Sequence, residues 1–227
     1  RSRQIFRWLW REKVSSFDQM TNISKSCQNY FSQNYYIQYV AVDTLIKSDD
    51  GTIKFLFKLS DGNKCEGVLI PEKNRITACI SSQVGCSFSC KFCATGKMKR
   101  IRNVFAYEIF DQVSLMKKEA KNIYNIDLTN IVYMGMGEPL VNYQNVVDSI
   151  KYITSKQGLN MSPKRITLST VGVSKMIKKL ADENLKVNLA VSLHSANNVK
   201  RSEIMDINSI NDLDNLKESL IYFFQKT

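Results

Sequence analysis

From Arg75 onward the chain alternates short apolar runs with amphipathic ones, and this restricts its fold more than any other feature. RITACISS (75–82), TNIVYMGMG (129–137), RITLSTVG (165–172) and VNLAVSLH (187–194) read as strands. The runs at 104–120, 143–155, 174–184 and 211–225 repeat apolar residues at helical spacing. Four β/α units in succession bury their apolar faces as a parallel sheet or barrel with right-handed crossovers. In such folds binding groups gather at the C-terminal ends of the strands. The least ordinary residues sit there: a cysteine loop after the first strand, GMGEPL after the second, Ser169-Thr170 in the third and Ser192-Leu193-His194 in the fourth.

Upstream, from Tyr39 to Pro71, the period is two. YVAVDTLIKSDDGTIKFLFKLSDGNKCEGVLIP reads strand, turn, strand, turn, strand. Asp50-Gly51 and Asp61-Gly62 supply the positive φ that tight hairpins need, and Pro71 is expected to end the last strand. Nearer the N-terminus, Ile5, Phe6, Leu9 and Trp10 fall on one side of a short helix, and a second helix is expected around Ile23 to Phe31. Trp8 and Trp10 read as core of this small unit. The expected organisation is α/β: a helical domain over 1–37, a β-hairpin extension over 38–74, and a partial (β/α) barrel of four units over 75–227. The chain begins with Arg1 and ends at Thr227 inside a helical pattern, so it reads as a fragment.

The 227 residues are 44% hydrophobic, enough for a sizeable core. Lys and Arg exceed Asp and Glu by 32 to 21, a net charge of +11. That is either a lysine-rich compositional bias or the footprint of a polyanionic partner, most often nucleic acid. No apolar run is long enough to cross a membrane and neither end resembles a signal peptide, so the chain reads as a soluble, cytoplasmic monomer without a membrane partner. Six cysteines do not make a disulfide framework in a chain of this length, and their clustering points to metal or catalysis.

The cluster is CSFSCKFC, with Cys86, Cys90 and Cys93 spaced C-x3-C-x2-C. Three thiolates on one loop can hold zinc or an iron–sulfur cluster. Zinc normally closes with a fourth protein ligand, often from a second C-x2-C pair, and none is present. Cys79 or His194 lack the spacing to close such a site. Three ligands suit a [4Fe–4S] cluster with one iron left open for a substrate or cofactor. The C-x3-C-x-aromatic-C pattern, with Phe92 at the aromatic position, resembles that of the radical S-adenosylmethionine (SAM) enzymes.

The likeness extends over nearly the whole chain. CISSQVGCSFSCKFCATG, YMGMGEPL, SPKRITLSTVGV and LAVSLHS occur in order and resemble the RlmN/Cfr family of radical SAM RNA-adenine methyltransferases, as do RQIFRWLW and SSFDQMTNIS. The Q-V-G-C form and the N-terminal segment are closer to the C2-methylating branch than to the C8-methylating one. The resemblance implies methylation of adenine C2 in 23S rRNA at the peptidyl transferase centre, with tRNA, at the adenosine 3′ of the anticodon, as a second substrate. It implies that Cys86, Cys90 and Cys93 ligate a [4Fe–4S] cluster. Gly137 and Glu138 would hold the amino group of the SAM methionine moiety, while Ser169, Ser192, Leu193 and His194 would contact its ribose and adenine. It further implies two SAM molecules per turnover: one methylates a cysteine near the C-terminus, and the other yields a deoxyadenosyl radical that activates that methyl group. Cys79 would then form the disulfide that releases the product, Glu66 would accept the C2 proton, and a reductant such as flavodoxin would supply electrons.

Taken singly, several of these residues have plainer readings. Glu138 before Pro139 suits a helix N-terminus, Glu66 a solvated strand position, Cys79 a buried strand site, and His194 a packed, hydrogen-bonded imidazole. Cys27 and Cys65 match no family role and read as structural. The run KMKRIR (97–102) reads either as a solvated face or as a track for phosphates. Two departures from the family pattern stand out: the chain stops before the late barrel strands and the methyl-accepting cysteine, so that it is expected not to turn over alone, and Asp206 replaces a usual proline. The alternatives are a zinc-stabilised RNA-binding module without catalysis and a C8-specific methyltransferase.

Overall fold

The computed structural model describes all 227 residues. At the N-terminus, α1 (Ser2–Arg7) runs on into a wider turn over Trp8–Glu12, and α2 (Lys25–Asn34) follows. Phe17, Met20 and Ile23 form a small core with Ile5, Trp8, Leu9 and Phe31. Trp8 lies in this unit as expected, with its Nε1 donating to Asn22 Oδ1 at 2.6 Å. Trp10 does not. Its ring stacks on Tyr152 at 4.1 Å and meets Phe110 edge-on at 5.0 Å, both in the α/β body. The helix is amphipathic twice over, with one side closing the small unit and the other docking it.

A second tie fixes this docking. Asp111 is buried, accepts from Lys13 Nζ, and accepts the Val40 N–H at 3.0 Å. Burial raises its pKa while Lys13 pulls it down. One carboxylate thus ties the turn after the first helix and the segment leading into the sheet to the same point on α3.

Three antiparallel strands follow: β1 (Ala41–Lys47), β2 (Ile53–Lys58) and β3 (Lys64–Glu72). Gly51 and Gly62 take φ of +86° and +85° in the two turns. Pro71 does not end β3, which continues to Glu72 with Pro71 opposite Ile76. Pairing with β2 stops at Leu69, so β3 has a partner on one side only at Pro71, an edge position where a missing N–H is tolerated. The chain then turns directly into β4 (Arg75–Cys79), antiparallel to β3.

The β/α alternation follows from there. The short strands β5 (Gln83–Val84) and β6 (Arg102–Asn103) pair as a separate ribbon beside the cysteine loop. Next come α3 (Ala106–Tyr124), β7 (Asn130–Tyr133), α4 (Tyr143–Thr154), β8 (Ile166–Thr170), α5 (Ser174–Asp182) and β9 (Asn188–Val191). A helix the sequence pattern did not reveal, α6 (Asn198–Ile204), precedes α7 (Leu213–Lys226). The main sheet has the order β1-β2-β3-β4-β7-β8-β9, with β4, β7, β8 and β9 parallel as expected. The hairpin strands are continuous with the parallel ones.

Strand alternation gives this sheet two unlike faces. Ile76, Ala78, Ile131, Tyr133, Ile166 and Leu168 are buried against the helices. Their neighbours Thr77, Cys79, Val132, Thr167 and Ser169 point the other way and are only half-buried. Register places Cys79 beside Val132, and Ser169 beside Ala190, on that second face.

Replacement Trp10→Ala is expected to destabilise the docked N-terminal unit by about 2 kcal/mol, a partly buried aromatic's share of burial and ring contact. Hydrogen exchange should then accelerate in residues 1–37 while β4, β7 and β8 keep their protection. Uniform loss of protection throughout the chain would show that the unit does not open independently.

Candidate active site at the strand ends

Beyond Cys79 the chain keeps one bond to β7 and then leaves the sheet, where many of its backbone groups need partners other than the main-sheet strands. Ile80 N–H donates to Val132 O at 3.0 Å, and the Ser82 and Gln83 N–H groups share Met136 O at 2.9 and 3.1 Å. Buried amide side chains satisfy much of the rest. Gln112, on α3, accepts the Ser81 N–H at 3.0 Å and donates to Ser81 O at 3.1 Å. Asn142 donates to Ser82 O at 2.8 Å and Val104 O at 2.7 Å. Gln83, fully buried, accepts the Glu138 N–H at 3.1 Å and donates to Ser87 Oγ at 3.0 Å and Asn103 Oδ1 at 2.9 Å. It therefore joins the cysteine loop to the loop after β7.

Glycine is required at the turn into the cysteines. Gly85 has φ +77°, and a Cβ there would sit 2.2 Å from Lys99 O. This close approach lets Cys86 bridge to Lys99 and start the loop. Cys93 N–H closes a turn onto Cys90 O at 3.0 Å, and Lys91 N–H donates to Ile204 O at 3.0 Å. Cys90 packs with Met205 and Ile207, so the segment after α6 supports the loop from behind.

Cys86, Cys90 and Cys93 line one cleft of about 240 Å³ together with Gly137, Glu138, Ser169 and Ser192. Burial raises the Cys86 pKa and pushes Cys90 up to about 11, and the neighbouring thiolates add to both. A metal's positive charge reverses that balance. Three cysteines line the cleft and no second C-x2-C pair joins them, a donor set that fits a four-iron cluster, which takes each thiolate on a different iron, better than a four-ligand zinc site.

Glu138 is the most unusual acid in the cleft. It is buried, yet no cation pairs with it. Its carboxylate accepts the Val171 N–H and Leu140 N–H at 2.8 and 3.0 Å. Burial pushes its pKa up to about 7, against those bonds and one from Thr170, which lower it. Gly137, at φ +94°, lets the chain pass Gln83: a Cβ there would lie 2.4 Å from the glutamine's own. A buried, unpaired carboxylate facing a cleft suits a ligand ammonium group.

Ser169 and Ser192 line the same cleft. Ser192, Leu193 and His194 lie just past β9, which ends at Val191, not within the strand. His194 is exposed at φ +56°, with its ring 3.8 Å from that of Phe92 in the cysteine loop, so it is not the packed imidazole its residue type alone suggests. Cys79 and Glu66 lie outside the cleft lining, on the half-buried face. Burial pushes Cys79 up to about 11, partly offset by a hydrogen bond from the Met134 backbone. Glu66 pairs with Lys54 Nζ at 2.7 Å, and its carbonyl accepts from Ser81 Oγ at 2.5 Å.

The basic run divides. Arg102 is not a phosphate contact: its guanidinium grips Glu108 at 2.7 and 2.8 Å and Asp61 at 2.6 and 3.0 Å, tying the β2–β3 turn to the start of α3. Lys97, Lys99 and Arg100 stay exposed and outside any ion pair. Cys65 is a core residue and Cys27 packs in the N-terminal cluster, both as expected. Gln83, Gln112, Asn142 and Arg201 were not anticipated as site residues. Buried polar groups follow no period, so only Gln83's place beside the cysteines offered any signal.

Comparison with known proteins agrees with this geometry. Residues 80–223 match the radical SAM superfamily, and residues 1–37 match the ribosomal RNA large subunit methyltransferase N-terminal domain. A Cytophaga hutchinsonii protein named "Probable dual-specificity RNA methyltransferase RlmN" is 57% identical over the whole of this chain, which covers 62% of that protein. Its namesake from Christiangramia forsetii is 53% identical over the whole chain, covering 64% of that protein. The chain thus spans somewhat less than two thirds of the length of these curated relatives. The crystal structure of a radical SAM methyltransferase from Sphaerobacter thermophilus superposes with a TM-score of 0.91 at 37% identity, over 99% of this chain and 66% of the other. Shared sequence, shared fold and a strand-end cleft with three cysteines place the chain in the radical SAM superfamily and, within it, in the RlmN family.

Proposed function

We propose that the protein acts in SAM-dependent methylation of RNA, at C2 of adenine, in 23S rRNA and in tRNA. The observation that carries this reading is the single cleft in which three thiols meet a buried carboxylate lacking a cation. Relatives named as dual-specificity RNA methyltransferases support the substrate class. The net charge of +11, with Lys97, Lys99 and Arg100 exposed beside the cysteine loop, suits a phosphate backbone.

In this reading Cys86, Cys90 and Cys93 hold a [4Fe–4S] cluster, which supplies one-electron chemistry at low potential when bound. Glu138 receives the SAM ammonium group and is oriented by the Val171 and Leu140 N–H groups. Gly137 lets the chain pass Gln83 and so places Glu138 in the cleft. Ser169 and Ser192 offer hydroxyls to the ribose, while Leu193 and the Phe92–His194 pair offer surface to the adenine. Two SAM molecules serve each turnover, one of them to methylate a cysteine of the enzyme. That route suits the target, because C2 of adenine is electron-poor and a covalent intermediate divides a difficult transfer into easier steps.

Cys79 and Glu66 take the later roles. Cys79 stays a neutral thiol at pH 7, so its entry into a disulfide needs a base or a change of surroundings. Glu66 accepts the C2 proton only once it leaves Lys54, which holds it in an exposed pair of small intrinsic strength. The target base must leave its stack to reach the cleft. A small soluble reductant of the flavodoxin type, a monomeric state and a cytoplasmic location complete the proposal, and no helix is long and apolar enough to cross a membrane.

Anaerobic reconstitution with iron and sulfide is expected to give a brown protein with about four irons, bleached by dithionite, and Cys90→Ala should lose the cluster. One tightly held zinc and no visible absorption would replace this reading with a non-catalytic RNA-binding module.

A second expectation concerns Glu138. Its pKa rises from 4.5 to about 7 on folding, so between those values the folded state holds a proton that the unfolded state has released. Burial of the acid therefore costs nothing below about pH 4.5 and its full amount, on the order of 3 kcal/mol, above about pH 7. Urea unfolding of ligand-free protein should show stability falling through that window, and Glu138→Gln should remove that part of the slope while weakening SAM binding. Identical pH profiles for the two proteins would show that Glu138 is not buried as a carboxylate.

A further inference from the structure

Arg201, in the middle of α6, is the largest side chain that is fully buried. Buried arginines are normally paired with carboxylates, yet this one has only neutral partners. Nη2 donates to Val171 O at 2.7 Å, Nε to Leu193 O at 3.2 Å, and Nη1 to Asn208 Oδ1 at 2.6 Å and Asn211 O at 3.5 Å. Two of these carbonyls belong to the ends of β8 and β9. Val171 is also the residue whose N–H holds Glu138 at 2.8 Å, and Leu193 follows Ser192 of the cleft. One planar fork thus spans both strand ends that frame the cleft.

The same helix reaches the cysteine loop. Ile204 O accepts the Lys91 N–H at 3.0 Å, and Met205 and Ile207 pack on Cys90. An arginine stays charged in any protein environment, so the site holds a buried cation with no carboxylate partner, on the helix that supports the cysteine loop.

We propose that Arg201 is a positioning residue of the cofactor site: it sets the ends of β8 and β9 for SAM, and its positive charge balances the thiolates of the cysteine loop. This rests on the reading that the cleft holds a [4Fe–4S] cluster and SAM. Both parts of the role follow from the geometry. The fork aligns three backbone carbonyls at once, which the single ammonium of lysine cannot do. The charge, unneutralised by any carboxylate, favours the more negative, reduced form of a cluster held at Cys90.

The test compares reconstituted wild type with Arg201→Lys and Arg201→Met, measuring SAM dissociation by calorimetry and cluster potential by a redox titration followed by electron paramagnetic resonance. Arg201→Lys keeps the charge and loses the fork, so it should weaken SAM binding about 10- to 100-fold with the potential little changed. Arg201→Met should weaken SAM binding as much and also move the potential to more negative values. SAM binding within about twofold of wild type in both variants, or an unmoved potential in Arg201→Met with only a lower unfolding temperature, overturns the proposal. Where Arg201→Met does not fold, Asn208→Ala removes the shortest bond to Nη1 and retains the charge: weakened SAM binding at constant potential supports the positioning role, and unchanged binding refutes it. Failure of wild type to assemble a cluster would instead defeat the functional reading beneath it.

Discussion

The site depends on how six residues, Ile80 to Gly85, are held after they leave the sheet. Strand pairing satisfies a backbone automatically, but a chain that departs from the strand end loses that partner while still buried. Here Gln112, Asn142 and the carbonyl of Met136 replace it. Each bond contributes only about 1 kcal/mol net, but leaving any of these groups unpaired costs more than that, which fixes the path. The loops after β4 and β7 become one unit through Gln83, and everything downstream inherits this placement. Cys86 starts its loop where Gly85 allows Lys99 to approach, and Glu138 faces the cleft because Gln83 holds its N–H.

Charge in the site is arranged against stability. Glu138 is a buried anion with no cation, and Arg201 a buried cation with no anion. Elsewhere the chain pairs its buried charges closely: Asp111 with Lys13, and Glu108 with a bidentate Arg102. The contrast lies within one molecule and one sequence. Buried charges left single are expensive to keep, and of these two Glu138 alone lines the cleft. On the proposed function the ammonium of SAM would answer Glu138, and the thiolates of a loaded cysteine loop would answer Arg201.

Most of the architecture was legible because burial in a sheet or on a helix leaves a period in the sequence. The parallel strands, their helices and the two Asp-Gly turns follow directly from that. What escaped has no period. Arg201 and Gln83 are polar residues in the interior, identified only by the carbonyls and N–H groups around them. Helix α6 carries the sequence NVKRSEI, too short and too polar to show a helical period. Trp10 reads as core of its own small unit, but an amphipathic helix has two sides, and only three dimensions show Tyr152 waiting on the other. Pro71 follows the rule that proline ends strands except where one neighbour is missing, a condition set by the length of β2.

The basic run after the cysteines shows how position alters the meaning of charge. Read as composition, Lys97 to Arg102 are equivalent cations. In the fold Arg102 closes a structural triad with Asp61 and Glu108 and has no donors to spare for phosphate. Its neighbours Lys97, Lys99 and Arg100 are left exposed, with Lys99 bridged to Cys86 at the start of the cysteine loop. The triad therefore anchors the free cations: by pinning β6 to the start of α3 it keeps the loop from Met98 to Ile101 against Val84 and Cys86. A polyanion drawn to those side chains arrives next to the thiols, because the one arginine that cannot bind it holds the others in place.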